Sequence, residues 1–97
     1  MLSQKRKQLV SEINDLLEIF NNPLPEKEID SGWNIDNQIM MINLLVDVRQ
    51  KIENKQALPA HFNIIKIMDY WGVFKGDIVD KAAELDCNLR ENYNGII

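Results

Sequence analysis

Cysteine and histidine are each present once in this chain, as Cys87 and His61. A single cysteine cannot form an intrachain disulfide, so nothing in the sequence points to an oxidising compartment. Zinc sites need several sulfur or nitrogen ligands at short spacing, and no CxxC or HxxxH pattern is present. We therefore expect no metal and no cofactor. Cys87 is expected to be a small buried or boundary residue, and His61 a half-exposed residue in the first turn of a helix.

Catalytic sequence motifs are missing as well. The chain contains no GxGxxG, GxxxxGK, GxSxG or HExxH pattern. Nothing in the sequence supplies Cys87 with the base and orienting group that a nucleophile requires. We therefore expect a protein that is not an enzyme, with no catalytic residues.

Long apolar runs are also absent. The longest, Ile39 to Val46, is interrupted by Asn43 and is far shorter than the ~20 residues that span a bilayer. The opening residues MLSQKRKQ turn polar and basic with no apolar segment after them, so no secretory signal is predicted. These features favour a soluble cytoplasmic protein. A length of 97 residues favours one small domain, residues 1–97, with one modest core.

Acidic residues outnumber basic ones. Fifteen Asp and Glu against eleven Lys and Arg give a net charge of −4. A nucleic-acid binder needs a basic surface, so the bulk charge argues against that class. An acidic surface can instead steer a basic protein partner towards it. We expect a protein partner, no nucleic acid and no membrane.

Apolar residues at helical spacing predict a first helix over residues 3–21. Its apolar face contains Leu9, Ile13, Leu16 and Phe20. Ser3 is a plausible N-cap, and Asn21-Asn22-Pro23 ends the helix because the residue before proline is disfavoured in the α region. Residues 22–32, with two prolines and a glycine, predict a loop.

The stretch Trp33–Asn54 is the longest periodic segment, and it predicts a central helix over residues 34–54. Either Ser31 or Asn34 can cap this helix, and Trp33 can pack as a hydrophobic staple against a residue one turn in. Two neighbouring ridges make a wide apolar face, as expected of a helix with neighbours on more than one side. The first ridge contains Ile35, Ile39, Ile42 and Val46, and the second Gln38, Met41, Leu45, Val48 and Ile52.

Two further helices are predicted over residues 59–71 and 77–93. Pro59 suits the first position of the third helix, although the segment FNIIKI within it is also compatible with a strand. Asp77 is expected to cap the fourth helix, and Asn94-Gly95 to end it. Short connections favour antiparallel neighbours, so the predicted fold is all-α, a single-domain four-helix antiparallel bundle.

Two acidic groupings and nearby aromatic residues are the candidate partner-binding surface. Carboxylates on one helix face could bind a cation or a basic partner, but a solvated surface with no specific role is the more ordinary interpretation. The first grouping is Glu26, Glu28 and Asp30, followed by Trp33. The second is Asp77, Asp80 and Glu84, which share one face of the fourth helix and follow Asp69, Tyr70 and Trp71.

The order of these features resembles the small all-helical immunity proteins that neutralise bacterial toxins delivered by type VI secretion. The resemblance runs from Gln8 to Asn92. It includes an opening amphipathic helix and a central helix with Asn37-Gln38-Ile39. A proline-bearing link and a helical hairpin follow, with the segment DIVDKAAEL of residues 77–85 as the nearest local similarity. The resemblance implies an inhibitor that covers a toxin's active site and no catalysis by this chain.

Two alternatives stay open at the level of the sequence. The wide apolar face of the central helix could support a structural or adaptor module that self-associates, so either a monomer or a homodimer is expected. The acidic residues of the fourth helix could instead serve a small enzyme or ligand carrier.

Overall fold

The computed structural model describes residues 4–58 and 62–93, and every regular element in that part of the chain is helical. Pro59, His61 and the predicted caps Ser3 and Asn94-Gly95 lie outside the described residues. The elements are α1 (Gln4–Phe20), α2 (Glu26–Asp30), α3 (Ile35–Glu53), α4 (Ile64–Trp71) and α5 (Asp77–Asn88), followed by a π-helical turn, Leu89–Tyr93. The prediction of an all-α fold is confirmed, and the alternative of a strand at FNIIKI is wrong.

One hydrophobic core joins these helices. Helix α1 packs against α3 and α5, and α4 packs against α5. The apolar face predicted for the first helix is confirmed, since Leu9, Ile13, Leu16 and Phe20 are all buried. Tyr93 in the π-helical turn is fully buried, and its hydroxyl donates to the carbonyl oxygens of Lys51 and Gln56. This contact joins the end of α5 to the end of α3.

The second ridge of α3 faces the core, whereas the first ridge packs against it at Ile42 but not in its first turns. Met41, Leu45, Val48 and Ile52 are buried, together with Asn37, whereas Ile35 and Ile39 are 74% and 52% exposed. The prediction that α3 has neighbours along both ridges is therefore wrong at its first turns. Helix α3 packs against α1 along one side, and within residues 4–58 and 62–93 no other helix makes a comparable contact with it.

Helix α2 lies within residues 22–32, which were predicted to be a loop. The Pro25 carbonyl accepts from the amides of Glu28 at 2.9 Å and Ile29 at 3.2 Å, which closes the first turn. Proline before a helix and acidic residues in its first turn both favour this start. One turn of helix is too short to show a hydrophobic period, so the pattern along the chain did not reveal it.

The helix starts differ from prediction in their details. Asn34 caps α3 through a reciprocal pair with Asn37, at 2.8 and 2.9 Å, which decides between the two predicted caps. Helix α4 begins at Ile64 after the cap Asn63, so residues 62 and 63 are not helical as predicted. Asp77 is the first residue of α5 rather than its cap, a position that Gly76 occupies. None of the described helices is long and apolar enough to cross a membrane.

Candidate functional site

The structure brings Glu28 of the first predicted acidic grouping against Asp77 of the second, although they lie 49 residues apart. The Lys27 ammonium contacts the Asp77 carboxylate at 3.0 Å, and this ion pair raises the pKa of Lys27. Beside it, Glu28 Oε1 accepts from the Asp77 amide at 3.1 Å. Helix α2 is therefore joined to the first turn of α5 through Lys27 and Glu28.

Glu28 serves as a cap for α5 that is supplied from another helix. Its side chain is buried, with only 2% of the residue exposed, and its carboxylate lies at the positive end of the α5 dipole. Gly76 makes room for it, because a Cβ at that position would lie 2.7 Å from Glu28 Oε2. Glu28 was predicted to contact a partner, and its burial corrects that prediction, because the carboxylate is used inside the fold.

A cleft of about 440 Å³ opens beside this junction. Its walls combine apolar side chains with charged ones, so it can receive an aliphatic chain that ends in a positive charge. The lining residues are Ile19, Pro25, Glu28, Asp77, Ile78, Asp80 and Lys81. Asp77 and Asp80 are exposed, as predicted for partner-binding residues.

A second, smaller cleft of about 170 Å³ continues this surface between α1 and α5, with Lys81 lining both clefts. Glu12, Asp15 and Glu84 lie here. Burial raises the pKa of Glu12, opposed by a hydrogen bond from Asn88, and the charges of Glu84 and Asp15 raise it further. We call the carboxylates of the two clefts the acidic face, defined by Glu12, Asp15, Asp77, Asp80 and Glu84.

Glu12 and Asp15 were absent from the predicted site. The spacing of three residues between them places both on one side of α1, which was a signal available in the sequence. What the sequence did not indicate is that α1 packs beside α5, so that these two carboxylates extend the row that begins at Asp77. The acidic face is therefore longer than the predicted one.

Neutralising Glu12 should stabilise the fold slightly. Its folded pKa is raised above the ordinary value of 4.5, so ionisation of Glu12 opposes folding once the pH exceeds the folded pKa. We expect Glu12→Gln to raise the free energy of unfolding at pH 7 by up to about 0.5 kcal/mol, with the Asn88 hydrogen bond retained. The gain in the free energy of unfolding should shrink as the pH falls through the raised pKa of Glu12, and it should vanish below pH 4.5. Urea titrations across this range measure it, and a variant less stable at pH 7 would contradict the interpretation.

The aromatic residues of the predicted site divide into two groups. Trp33 is 1% exposed and packs edge-on against Phe20 and Trp71, at centroid distances of 5.1 and 6.3 Å. Its predicted contact with a partner is therefore corrected to a place in the core, and Trp71 is half-buried beside it. Tyr70, in contrast, is 91% exposed.

The remaining acidic candidates are accessible. Asp69, Glu26 and Asp30 are exposed on α4 and α2. The described contacts join neither Asp69 nor Tyr70 to the acidic face. The predicted surface is thus divided among the acidic face, the outer side of α2 and the exposed end of α4.

Metal binding and thiol chemistry find little support among the described residues. No group of three or more His, Cys, Asp or Glu side chains there is arranged to hold a metal ion. Cys87 is exposed, which corrects the expectation of a buried or boundary residue. A hydrogen bond and the negative charge of Glu91 raise the pKa of its thiol, and a raised pKa lowers the fraction of reactive thiolate.

Comparison with known proteins yields no relative. No protein-family model matches the chain, and neither a curated protein nor a solved structure shows significant similarity. Arguments about function therefore depend on the surface itself.

Proposed function

We propose that this chain is a non-enzymatic protein-binding module, an immunity protein that binds and blocks a bacterial toxin. The observation that supports the proposal most directly is the acidic face, whose five carboxylates line two adjoining clefts together with Glu28. Lys5, Lys27 and Lys81 are among the nearby cations. Such a surface attracts a basic protein domain and increases its rate of association.

The electrostatics of Glu12 support a binding role over a purely structural one. Its pKa is raised by burial and by neighbouring carboxylates, so the free chain keeps negative charges together at a small cost in stability. A basic partner would relieve that repulsion on binding. Surfaces that serve binding often retain such unfavourable arrangements, because selection for function opposes their removal.

The helical architecture is compatible with an inhibitor. We propose that the four longer helices form the antiparallel bundle that their short connections predict. A rigid surface of this kind loses little conformational entropy on binding, which favours tight association with a toxin's active site. No catalytic step by this chain is part of the proposal.

Reversing the charge of the acidic face should weaken partner binding. We expect Asp77→Lys, Asp80→Lys and Glu84→Lys together to slow association with a basic partner at least tenfold at low salt, since steering depends on this local field. The matched control reverses Asp47, Glu53 and Glu91, three exposed carboxylates that give the same change in net charge and lie outside the acidic face.

The measurement has two steps. Tagged wild-type chain and both triple variants are used to capture proteins from cells of the source organism, and the recovered protein is then expressed alone and together with the chain. The proposal expects one basic protein, captured by the wild type and the matched control, that is toxic alone and harmless with the chain. Equal capture and equal association rates for the acidic-face variant would show that this face is not the binding surface.

A second candidate function is a structural or adaptor module that self-associates. The exposed side chains of Ile35, Ile39 and Met40 on α3 favour it, because their exposed fractions are 74%, 52% and 45%. Sedimentation at micromolar concentration tests this candidate, and a strictly monomeric chain would remove its motivation.

A further inference from the structure

A groove between α2 and the start of α3 lies outside the acidic face. Its volume is about 450 Å³, and it is lined by Ile29, Trp33, Asn34, Ile35, Asp36 and Gln38. We call it the α2–α3 groove. Glu28 and Ile29 are neighbours in α2, so this one short helix contributes to both surfaces. Glu28 lines the cleft beside the contact between α2 and α5, and Ile29 lines the groove.

Several apolar side chains in and beside the groove are exposed to solvent. Ile29 is 52% exposed and Ile35 is 74% exposed. Ile39, one turn after Ile35 on α3, is also 52% exposed and extends the same apolar surface. Isolated exposed apolar residues are ordinary, but adjoining ones around a concave surface are typical of interaction sites.

Trp33 contributes a hydrogen-bond donor that the described residues leave unused. The side chain lines the groove and is 1% exposed, yet its Nε1 has no acceptor within the described part of the chain. Buried indole N–H groups normally find an acceptor, and burial without one costs free energy. Because only 1% of the residue is exposed, a segment bound in the groove cannot reach this N–H group, which serves instead as a nearby reporter of binding.

The charges around the groove indicate which segment fits. Asp36 lines it and Asp30 follows Ile29 in α2, whereas none of its lining residues is Lys or Arg. A segment with apolar side chains flanked by Lys or Arg would complement both the apolar surface and the acidic edge. A second copy of this chain fits less well, because each copy has a net charge of −4 and would bring further carboxylates to the same edge.

We propose that the α2–α3 groove binds an extended, basic and apolar peptide segment of a partner protein. An apolar side chain of the segment packs against Ile29 and Ile35. A Lys or Arg side chain of the segment pairs with Asp36. The site is separate from the acidic face, so it is either a second contact for the same partner or a contact for a different one.

The Trp33 indole N–H provides a direct measurement. The full chain, labelled with nitrogen-15, is titrated with the synthetic peptide GKIRLKIRG and with its acidic counterpart GEIELEIEG, which keeps the same apolar residues. The chain has two tryptophans, so Trp71→Phe identifies which of the two indole resonances belongs to Trp33. We expect a saturable shift of the Trp33 resonance with the basic peptide, because the side chain lines the groove, and no shift with the acidic one.

Two exposed apolar residues give a matched pair of variants. Ile35→Ser should weaken binding of the basic peptide about tenfold, because the contact with this side chain is lost. Phe74→Ser should leave binding unchanged, since Phe74 is 66% exposed but does not line the groove. Neither side chain is buried, so both variants are expected to fold.

Four results would overturn the proposal. These are no shift of the Trp33 resonance with either peptide, an equal shift with both peptides, or equal weakening by Ile35→Ser and Phe74→Ser. The fourth is a Trp33 shift that depends on protein concentration without peptide, together with a dimer in sedimentation, which would assign the groove to a second copy. Shifts confined to the acidic face would reject the groove and leave the inhibitor proposal standing. A shift of the Trp33 resonance with the basic peptide, with no toxin recovered by capture, would support the groove and reject the inhibitor proposal.

Discussion

Replacing Trp33 with alanine should lower the free energy of unfolding by about 3–5 kcal/mol. The indole is 1% exposed and makes edge-on contacts with Phe20 at 5.1 Å and Trp71 at 6.3 Å. Removing it leaves a cavity where α1, α4 and the start of α3 meet. Domains of this size have a total stability of about 5–15 kcal/mol, so the loss is a large part of the whole.

Urea denaturation followed by circular dichroism measures this effect. Ile35→Ala is the matched control, since that side chain lies only two residues away but is 74% exposed, and we expect a change within about 0.5 kcal/mol. Trp33→Phe should fall between the two, because it keeps an aromatic ring in the core. A loss below about 1 kcal/mol for Trp33→Ala would contradict the burial of Trp33 and reopen its role at the surface.

Replacing Gly76 with alanine should cost about 2–4 kcal/mol, for two separate reasons. The backbone at Gly76 has φ +116°, a conformation that residues other than glycine rarely adopt. The new Cβ would also lie 2.7 Å from Glu28 Oε2, so the carboxylate would have to move and give up its hydrogen bond to the Asp77 amide. Both α2 and the start of α5 would lose their connection.

Gly72→Ala separates the two causes. Gly72 has φ +83°, but a Cβ there would meet no atom within 4 Å, so only the cost of the left-handed backbone, about 1–2 kcal/mol, is expected. The contribution of the Glu28 contact is measured by introducing Gly76→Ala into a Glu28→Ala background, where the clash is absent. If Gly76→Ala cost the same in both backgrounds, the interaction with Glu28 would have no part in the effect.

Helix α2 is therefore the element on which both proposed surfaces depend. It holds Lys27 and Glu28 against α5 and places Ile29 at the groove beside α3. A change that weakens the contact between α2 and α5, such as Gly76→Ala, is expected to alter the cleft beside that contact and the α2–α3 groove together. Ile35→Ser and Phe74→Ser avoid this coupling, whereas Asp77→Lys also removes the ion pair between Lys27 and Asp77.

Helices α1 and α3 could be predicted from the sequence because each is long and has a strong apolar period. Leu9, Ile13, Leu16 and Phe20 repeat often enough to identify one buried face. Helix α3 carries two apolar ridges, and periodicity alone does not say which of them has a neighbour. Its polar Asn37 is buried because it bonds to the Asn34 backbone and to the Gly32 carbonyl, which hydropathy does not predict.

The sequence indicated which acidic residues of α5 belong to the candidate site. It did not indicate which residues of other helices pack against them. The exposed residues Asp77, Asp80 and Glu84 were identified from spacing within one helix. Glu28 and Trp33 were placed on the surface because Glu is ordinarily exposed and because Trp is favoured at binding surfaces. Their burial follows from contacts with α5 and α4, and no local pattern specifies such contacts.

The sequence by itself determined the helical class, the acidic balance and the extent of the longer helices. Those properties depend on composition and on hydrogen bonds between residues four apart, so they are readable along the chain. Only the tertiary structure decided that α2 forms, that Glu28 caps α5, and that Ile35 stays exposed while Trp33 is buried. The reason is physical, since each of these outcomes depends on contacts between segments far apart in the sequence, and the free energy of those contacts exists only once the helices pack.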